Sequence, residues 1–173
     1  MTTPIAGPRG RGERADGAGD RGTGGMPRTL VYGWRMDHLK PREAHAFLAS
    51  NPDAVWIDCR TEAEHFLVGH PVVERDGADP LRPHNVWWAD DLKGEMNERF
   101  VDDVAAVAPD RATPVVLICR SGRRSVSAGE ALEAAGWTAV RNVIDGFEGP
   151  LDERFRRGTQ AGWRFEGLPW EQL

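Results

Sequence analysis

A chain of 173 residues with 40% hydrophobic content is long enough to bury one sizeable core. Its formal net charge of −5, with no stripe of lysines, argues against a nucleic-acid partner, and no apolar run approaches the ~20 residues of a membrane span. Two cysteines are too few for a disulfide framework, which points to a reducing compartment and a cytoplasmic location.

Residues 1–28 hold eight glycines, five arginines and three acids, with almost nothing bulky and apolar. Such a segment cannot bury enough surface to offset its ordering entropy, so a disordered Gly/Arg-rich tail is expected, with one folded domain over 29–173. The tail lacks the continuous apolar stretch of a secretory signal, and its acids fit a transit peptide poorly. A strand is expected near Leu30–Met36, weakened by Gly33. Pro41–Ser50 reads as a helix, with Pro41 in the first turn and Ala44, Phe47 and Leu48 on one face. Residues 54–60 form an apolar run that turns polar at Asp58-Cys59-Arg60. In an open parallel sheet that carboxyl end is where sites are built.

Residues 72–83 are rich in turn formers and read as a surface loop. Asn85–Ala89 is expected as a short strand. Phe100, Val101, Val104 and Val107 then fall at helical spacing, with Pro109 just past the stop. Pro114–Ile118 reads as a buried parallel strand. A helix follows from Ser125 to a stop at Gly136, with Val126, Leu132 and Ala135 turned inward. Gly129 costs that helix ~1 kcal/mol of propensity, which implies close packing on the sheet. Residues 139–144 make the last strand. The extended segment 146–173 is expected to pack its tryptophans over the domain edge, where it could wall a site. Alternating strands and helices define an α/β domain with a largely parallel central sheet flanked by helices.

The chemistry concentrates in Cys119-Arg120-Ser121-Gly122-Arg123-Arg124-Ser125, between the 114–118 strand and the helix. A loop wrapping into a helix N-terminus gathers backbone N–H groups and positive helix-dipole potential at one spot. Arg120, Arg123 and Arg124 add full charges. A thiol there is expected to ionise below its free value of about 8.5, giving a nucleophilic thiolate in a field that also holds anions. A cysteine phosphatase loop needs Cys-x5-Arg, whose arginine grips phosphate. Here Ser125 occupies that position and Arg124 comes one residue early, so the cradle suits a single sulfur better than a whole phosphate.

This loop resembles the six-residue active-site loop of the rhodanese family of sulfurtransferases. Asp58-x-Arg60, Glu64 and Gly69-His70 are similar to family signals, as are Gly162-Trp163 and Gly167-Leu168-Pro169-Trp170 near the end. After His70 the pattern departs, with Pro71 and the turn-rich stretch in place of the usual continuation. The resemblance implies a rhodanese-like fold over about residues 30–173. It implies that Cys119 carries a persulfide cradled by loop amides, with Arg120, Ser121, Gly122, Arg123, Arg124 and Ser125 binding the substrate. Asp58 and Arg60 would brace the loop rather than react.

The expected activity moves sulfane sulfur from a small anionic donor to cyanide, a thiol or a protein thiol, and so basic a loop suits doubly charged thiosulfate. No cofactor is expected, and the five histidines show no metal-ligand spacing. Cys59 is expected as a small buried thiol. Two other classes stay open for this chain: oxyanion reduction or dephosphorylation by the same loop (arsenate reductase or phosphatase), and a non-catalytic binding or regulatory module.

Overall fold

Val115–Ile118 is the centre of a five-stranded parallel sheet in the computed structural model, which describes residues 36–75 and 77–172. In chain order the elements are β1 (Asp37–Leu39), α1 (Pro41–Ser50), β2 (Val55–Asp58), α2 (Glu62–Val68), β3 (His70–Pro71), β4 (His84–Asn85), β5 (Ala89–Asp90), β6 (Glu95–Met96), α3 (Phe100–Val107), β7 (Val115–Ile118), α4 (Arg123–Ala134), β8 (Val140–Val143) and β9 (Trp170–Glu171). The sheet order is β1-β8-β7-β2-β4, every pair parallel. The short pairs β3–β9 and β5–β6 are antiparallel. The expected tail over 1–28 and, apart from Met36, the expected strand near Leu30–Met36 lie outside the described residues. Among those described, no helix is long and apolar enough to cross a membrane.

The continuous apolar run of β7 follows from cover on both sheet faces. Val115 and Leu117 pack with Phe100 and Val104 of α3 and Ala128 and Leu132 of α4. Val116 and Ile118 pack with Ala44 and Leu48 of α1 and with Phe147, Trp163 and Leu168 of the C-terminal segment. Each fully buried Val, Leu or Ile side chain contributes roughly 1.5–3 kcal/mol. Gly129 shows why α4 tolerates a glycine: a Cβ there would stand 2.3 Å from Met36 Sδ and 3.2 Å from Leu117 Cδ1.

The helices over 41–50 and 100–107 stand as expected, but several details differ. α2 was not expected, because it buries no residue and so carries no apolar periodicity. A capping box holds it instead: Glu64 N–H donates to Thr61 Oγ1 at 3.2 Å, and Thr61 N–H to Glu64 Oε2 at 3.1 Å. α4 starts at Arg123, two residues early, because Gly122 takes the left-handed conformation at its N-cap (φ 82°). Ala135 lies past the helix end and is exposed. The stretch after Pro71 is not all surface loop, since Val72 and Val73 are buried and Val73 bridges Leu81. The strand expected at 85–89 is divided: β4 ends at Asn85, and Trp88 packs edge-on to Phe100 at 5.0 Å.

Topology places the site. From β7 the chain passes through α4 to β8, while from its other neighbour β2 it passes through α2 toward β4. The connections leave in opposite directions, which opens a crevice at the carboxyl ends of these two strands.

Candidate active site

Cys119 follows the last residue of β7 at this switch point and is only 1% exposed. Its Sγ accepts a hydrogen bond from Ser125 Oγ, 3.2 Å away, in the first turn of α4. Neighbouring amides secure the loop through its carbonyls: Phe147 N–H donates to Cys119 O at 2.8 Å, and Glu148 and Gly149 N–H to Arg120 O at 2.9 and 3.2 Å. The loop's own donors are left over. Among the described residues no protein acceptor takes the N–H of Arg120, Ser121 or Gly122, and the first-turn N–H groups of α4 have no acceptor within the helix. Unclaimed N–H groups in a turn that runs into a helix N-terminus are the kind of donors an anion can use.

Two glycines permit this turn. A Cβ at Gly122 would lie 2.9 Å from Asp145 N, and one at Gly146 would lie 2.3 Å from Cys119 O. Both residues also have positive φ.

The arginines of the loop divide into different environments. Arg124 is held by Glu64, donating Nη2–H to Oε1 at 2.6 Å and Nη1–H to Oε2 at 2.8 Å, and Nη1 also reaches Ala89 O at 2.9 Å. Arg120 donates to Asp91 Oδ2 at 3.3 Å, on the turn between β5 and β6. Arg123 is exposed and lines an open cavity with His38, Val126 and Asn142 on the β1 side. Glu64, Asp91 and that turn are therefore part of the rim, and sequence reasoning had not linked them to the arginines. The capping pattern Thr61-x-x-Glu64 was the available signal for α2. Burial works against ionisation of Glu64, but the hydrogen bonds and charge of Arg124 outweigh it and hold the carboxyl below its ordinary range.

Asp58 and Arg60 sit one strand over, both fully buried. Arg60 donates Nη2–H to Asp58 Oδ2 at 2.6 Å and to Gly69 O at 2.8 Å, and its guanidinium lies 4.4 Å from the centre of the Phe147 ring. His65 Nδ1 adds a contact to Asp58 Oδ2 at 3.1 Å. Burial alone would raise the Asp58 pKa; the Arg60 charge, with hydrogen bonds from His65 and Arg60, brings it down to about 2. The pair ties the end of β2 to the end of α2 and to the residue bonded to the Cys119 carbonyl. His70, stacked on His65 at 4.3 Å, joins Glu171 of β9 through Nε2 at 3.0 Å.

Cys59 is buried at the end of β2, and its N–H donates to Ile118 O at 2.7 Å. The β2–β7 register sets Asp58 against Ile118, so Cys59 and Cys119 follow on adjacent strands and share one core cluster. Burial, with Cys119 and Asp58 close by, pushes the Cys59 thiol well above its ordinary pKa.

A parallel α/β sheet with a recessed cysteine at its switch point and unclaimed N–H donors leading into a helix defines a rhodanese-fold protein. Residues 40–152 match the family model described as Rhodanese-like domain, and the chain belongs to that family. Among solved structures it is similar to Rv0390 from M. tuberculosis, 40% identical, covering 79% of this chain and 98% of that one with a TM-score of 0.64. It also matches the polysulfide-sulfur transferase homodimer of Wolinella succinogenes, 23% identical, covering 80% of each chain with a TM-score of 0.53, a likeness of fold. The uncharacterized protein RC0915 of Rickettsia conorii is 28% identical over 137 residues, 79% of this chain and 98% of its own length.

Proposed function

We propose that the protein is a sulfurtransferase that carries sulfane sulfur on Cys119. The observation that supports this most is the loop's division of labour: its Cys119 and Arg120 carbonyls are engaged by Phe147, Glu148 and Gly149, while its N–H groups stay unclaimed beside a recessed sulfur. Such a set of donors holds an extra anionic sulfur without moving. The protein works as a cytoplasmic enzyme in this reading.

In the first step the Cys119 thiolate attacks the outer sulfur of an anionic donor such as thiosulfate. A Cys119–sulfur bond forms, the sulfur–sulfonate bond breaks, and its electron pair leaves with sulfite. In the second step a nucleophilic acceptor (cyanide, a small thiol or a protein thiol) attacks the outer sulfur. The Cys119 S–S bond breaks and its electron pair returns to Cys119 as thiolate. Ser125 donates to the Cys119 sulfur, the loop amides of Arg120, Ser121 and Gly122 hold its charge, and Arg120, Arg123 and Arg124 shape the field that draws the donor. Asp58 and Arg60 keep the loop in place.

Intact mass after thiosulfate treatment tests this. Addition of one sulfur atom, abolished in Cys119→Ser and reversed by cyanide with release of thiocyanate, is expected. A wild-type protein that gains no sulfur would overturn the proposal.

A further inference from the structure

Beside the loop, the C-terminal segment forms a partly open cavity of about 230 Å³ lined by Glu148, Arg157, Gly158, Arg164 and Trp170. The lining is well anchored. Gly158 N–H donates to Glu148 O at 2.7 Å, Arg157 Nη1–H to Gly149 O at 2.6 Å, and Arg164 N–H to Phe147 O at 3.1 Å. Trp163 fixes the segment in the core, where it is fully buried, contacts Trp56 at 5.2 Å and donates Nε1–H to Pro169 O at 2.7 Å. The wall residue Glu148 is itself bonded to Arg120 O, one residue from the reacting cysteine.

The charges of this lining are only partly matched within the protein. Arg120 and Arg124 have acidic partners, but among the described residues no carboxylate lies within ion-pair distance of Arg157 or Arg164. Arg164 spreads over the Trp170 ring, its Cζ 4.4 Å from the centroid. Burial and the positive charge of Arg120 push Arg157 below the usual arginine pKa, with Arg124 adding to the effect and Glu148 and Glu64 opposing it, so the charge on Arg157 is offset only in part. Glu148 Oε1 is buried with no hydrogen-bond partner.

Size and charge narrow the ligand. About 230 Å³ is several times the ~30 Å³ share of one water and far more than a small inorganic anion fills. It falls short of the ~300–1,000 Å³ that encloses a whole drug-sized molecule. Two guanidinium forks against one carboxylate leave a surplus suited to a monoanionic carboxylate rather than a dianion.

Resting on the sulfur-transfer reading, we infer that this cavity binds the carboxylate end of a low-molecular-weight thiol that takes the sulfur from Cys119, with Arg157 and Arg164 as its specificity residues. The thiolate of the held acceptor attacks the outer sulfur of the Cys119 persulfide. A new S–S bond forms on the acceptor, the Cys119 S–S bond breaks, and Cys119 recovers its thiolate. No oxidant or reductant is consumed.

The test compares discharge of the thiosulfate-loaded full-length protein by glutathione, by glutathione diethyl ester (same thiol, masked carboxylates) and by cyanide. Wild type is expected to show a lower KM for glutathione than for the ester. Arg157→Ala and, separately, the exposed Arg164→Ala should raise the glutathione KM about fivefold, the size of one partly solvated charge pair, and leave ester and cyanide within twofold. Equal wild-type KM for glutathione and ester, or variants that slow all three acceptors alike, would overturn the inference. Calorimetric titration of Cys119→Ser with unreactive S-methylglutathione separates the two readings. Binding that Arg157→Ala weakens about fivefold supports the site even where no sulfur is loaded, and no binding overturns it even where loading succeeds.

Discussion

Glu64 caps the first turn of α2 and also grips Arg124 in the first turn of α4, with two N–H···O contacts of 2.6 and 2.8 Å. The side chains are 19% and 10% exposed, so this bidentate pair is far better shielded than a surface ion pair. One carboxylate thus fixes the start of both helices that leave the crevice. Glu64→Ala is expected to lower unfolding stability by about 1–3 kcal/mol, between the values for exposed and fully buried pairs. It should also slow sulfur loading, because Arg124 is freed next to the loop. Arg124→Lys cannot restore the fork and should show most of the same stability loss. Denaturant unfolding of the two variants, and of the double variant, checks the coupling: additive losses would mean the contact contributes nothing.

The carboxyls of this network set the acid limit of the fold. Asp58 falls from an ordinary value of 3.8 to about 2, and Glu64 also lies below its usual value. A carboxyl whose pKa is depressed by folding contributes stability that is fully present above its unfolded pKa and is lost as pH falls through the folded one. The part of the stability that these two carboxyls supply should therefore hold from neutrality down to about pH 5 and then fall steeply between about pH 4 and pH 2, with Asp58 accounting for on the order of 2 kcal/mol. His45 and His70, whose pKa values burial lowers, add a shallower loss that begins below about pH 6.5. Urea midpoints measured from pH 2 to pH 8 check this. Asp58→Asn should be less stable at pH 7 and lose less on acidification; an unchanged acid slope would remove Asp58 from the account.

Much of this frame is legible in the sequence because it rests on local signals. Val115–Ile118 is apolar without alternation, Pro41 and Pro109 punctuate two helices, and the spacing from Cys119 to Ser125 separates this loop from Cys-x5-Arg. What is not legible depends on tertiary placement. Asp91 meets Arg120 because a short turn brings it across the crevice, and Arg157 lines the cavity beside Glu148 from a segment that carries no periodicity. α2 buries nothing, so only its Thr61–Glu64 cap announces it. The acid that engages Arg124 is 60 residues away in sequence, and pattern alone gives no reason to join the two.

Cys59 and Cys119 each follow the last residue of one of two neighbouring strands, yet their environments differ. Cys119 has Ser125 and the loop donors, whereas burial holds Cys59 protonated. Cys59→Ala should therefore load sulfur from thiosulfate at close to the wild-type rate, while losing about 1 kcal/mol of stability for the small void it leaves. Cys59→Ser should cost more, about 1–3 kcal/mol, because it places a hydroxyl among apolar neighbours. Mass spectrometry of the loaded variants and their unfolding midpoints check both expectations. Loss of loading in Cys59→Ala with stability intact would give Cys59 a direct part in the chemistry.

Gly146 offers the sharpest test of the loop's geometry. Its φ is 61°, and a Cβ would come 2.3 Å from Cys119 O, 2.8 Å from the Arg120 carbonyl carbon and 2.8 Å from Gly122 N. All three contacts are backbone, so no side chain can rotate away, and the turn itself must shift. Any shift moves the amides that would hold the extra sulfur, and misplacement by about 1 Å can cost ~10²-fold in rate. Gly146→Ala is expected to keep a cooperative fold with stability reduced by about 2 kcal/mol or more, since backbone strain adds to the clash. Its sulfur loading should fall by about two orders of magnitude. Gly136→Ala is the matched control, because it too has positive φ (101°) but nothing within 4 Å of an added Cβ, well away from the loop. Stopped-flow loading kinetics and urea unfolding on both variants give the answer: equal effects on loading would show that Gly146 matters only as a flexible link, and a large loss confined to Gly146→Ala would tie transfer to the shape of the turn.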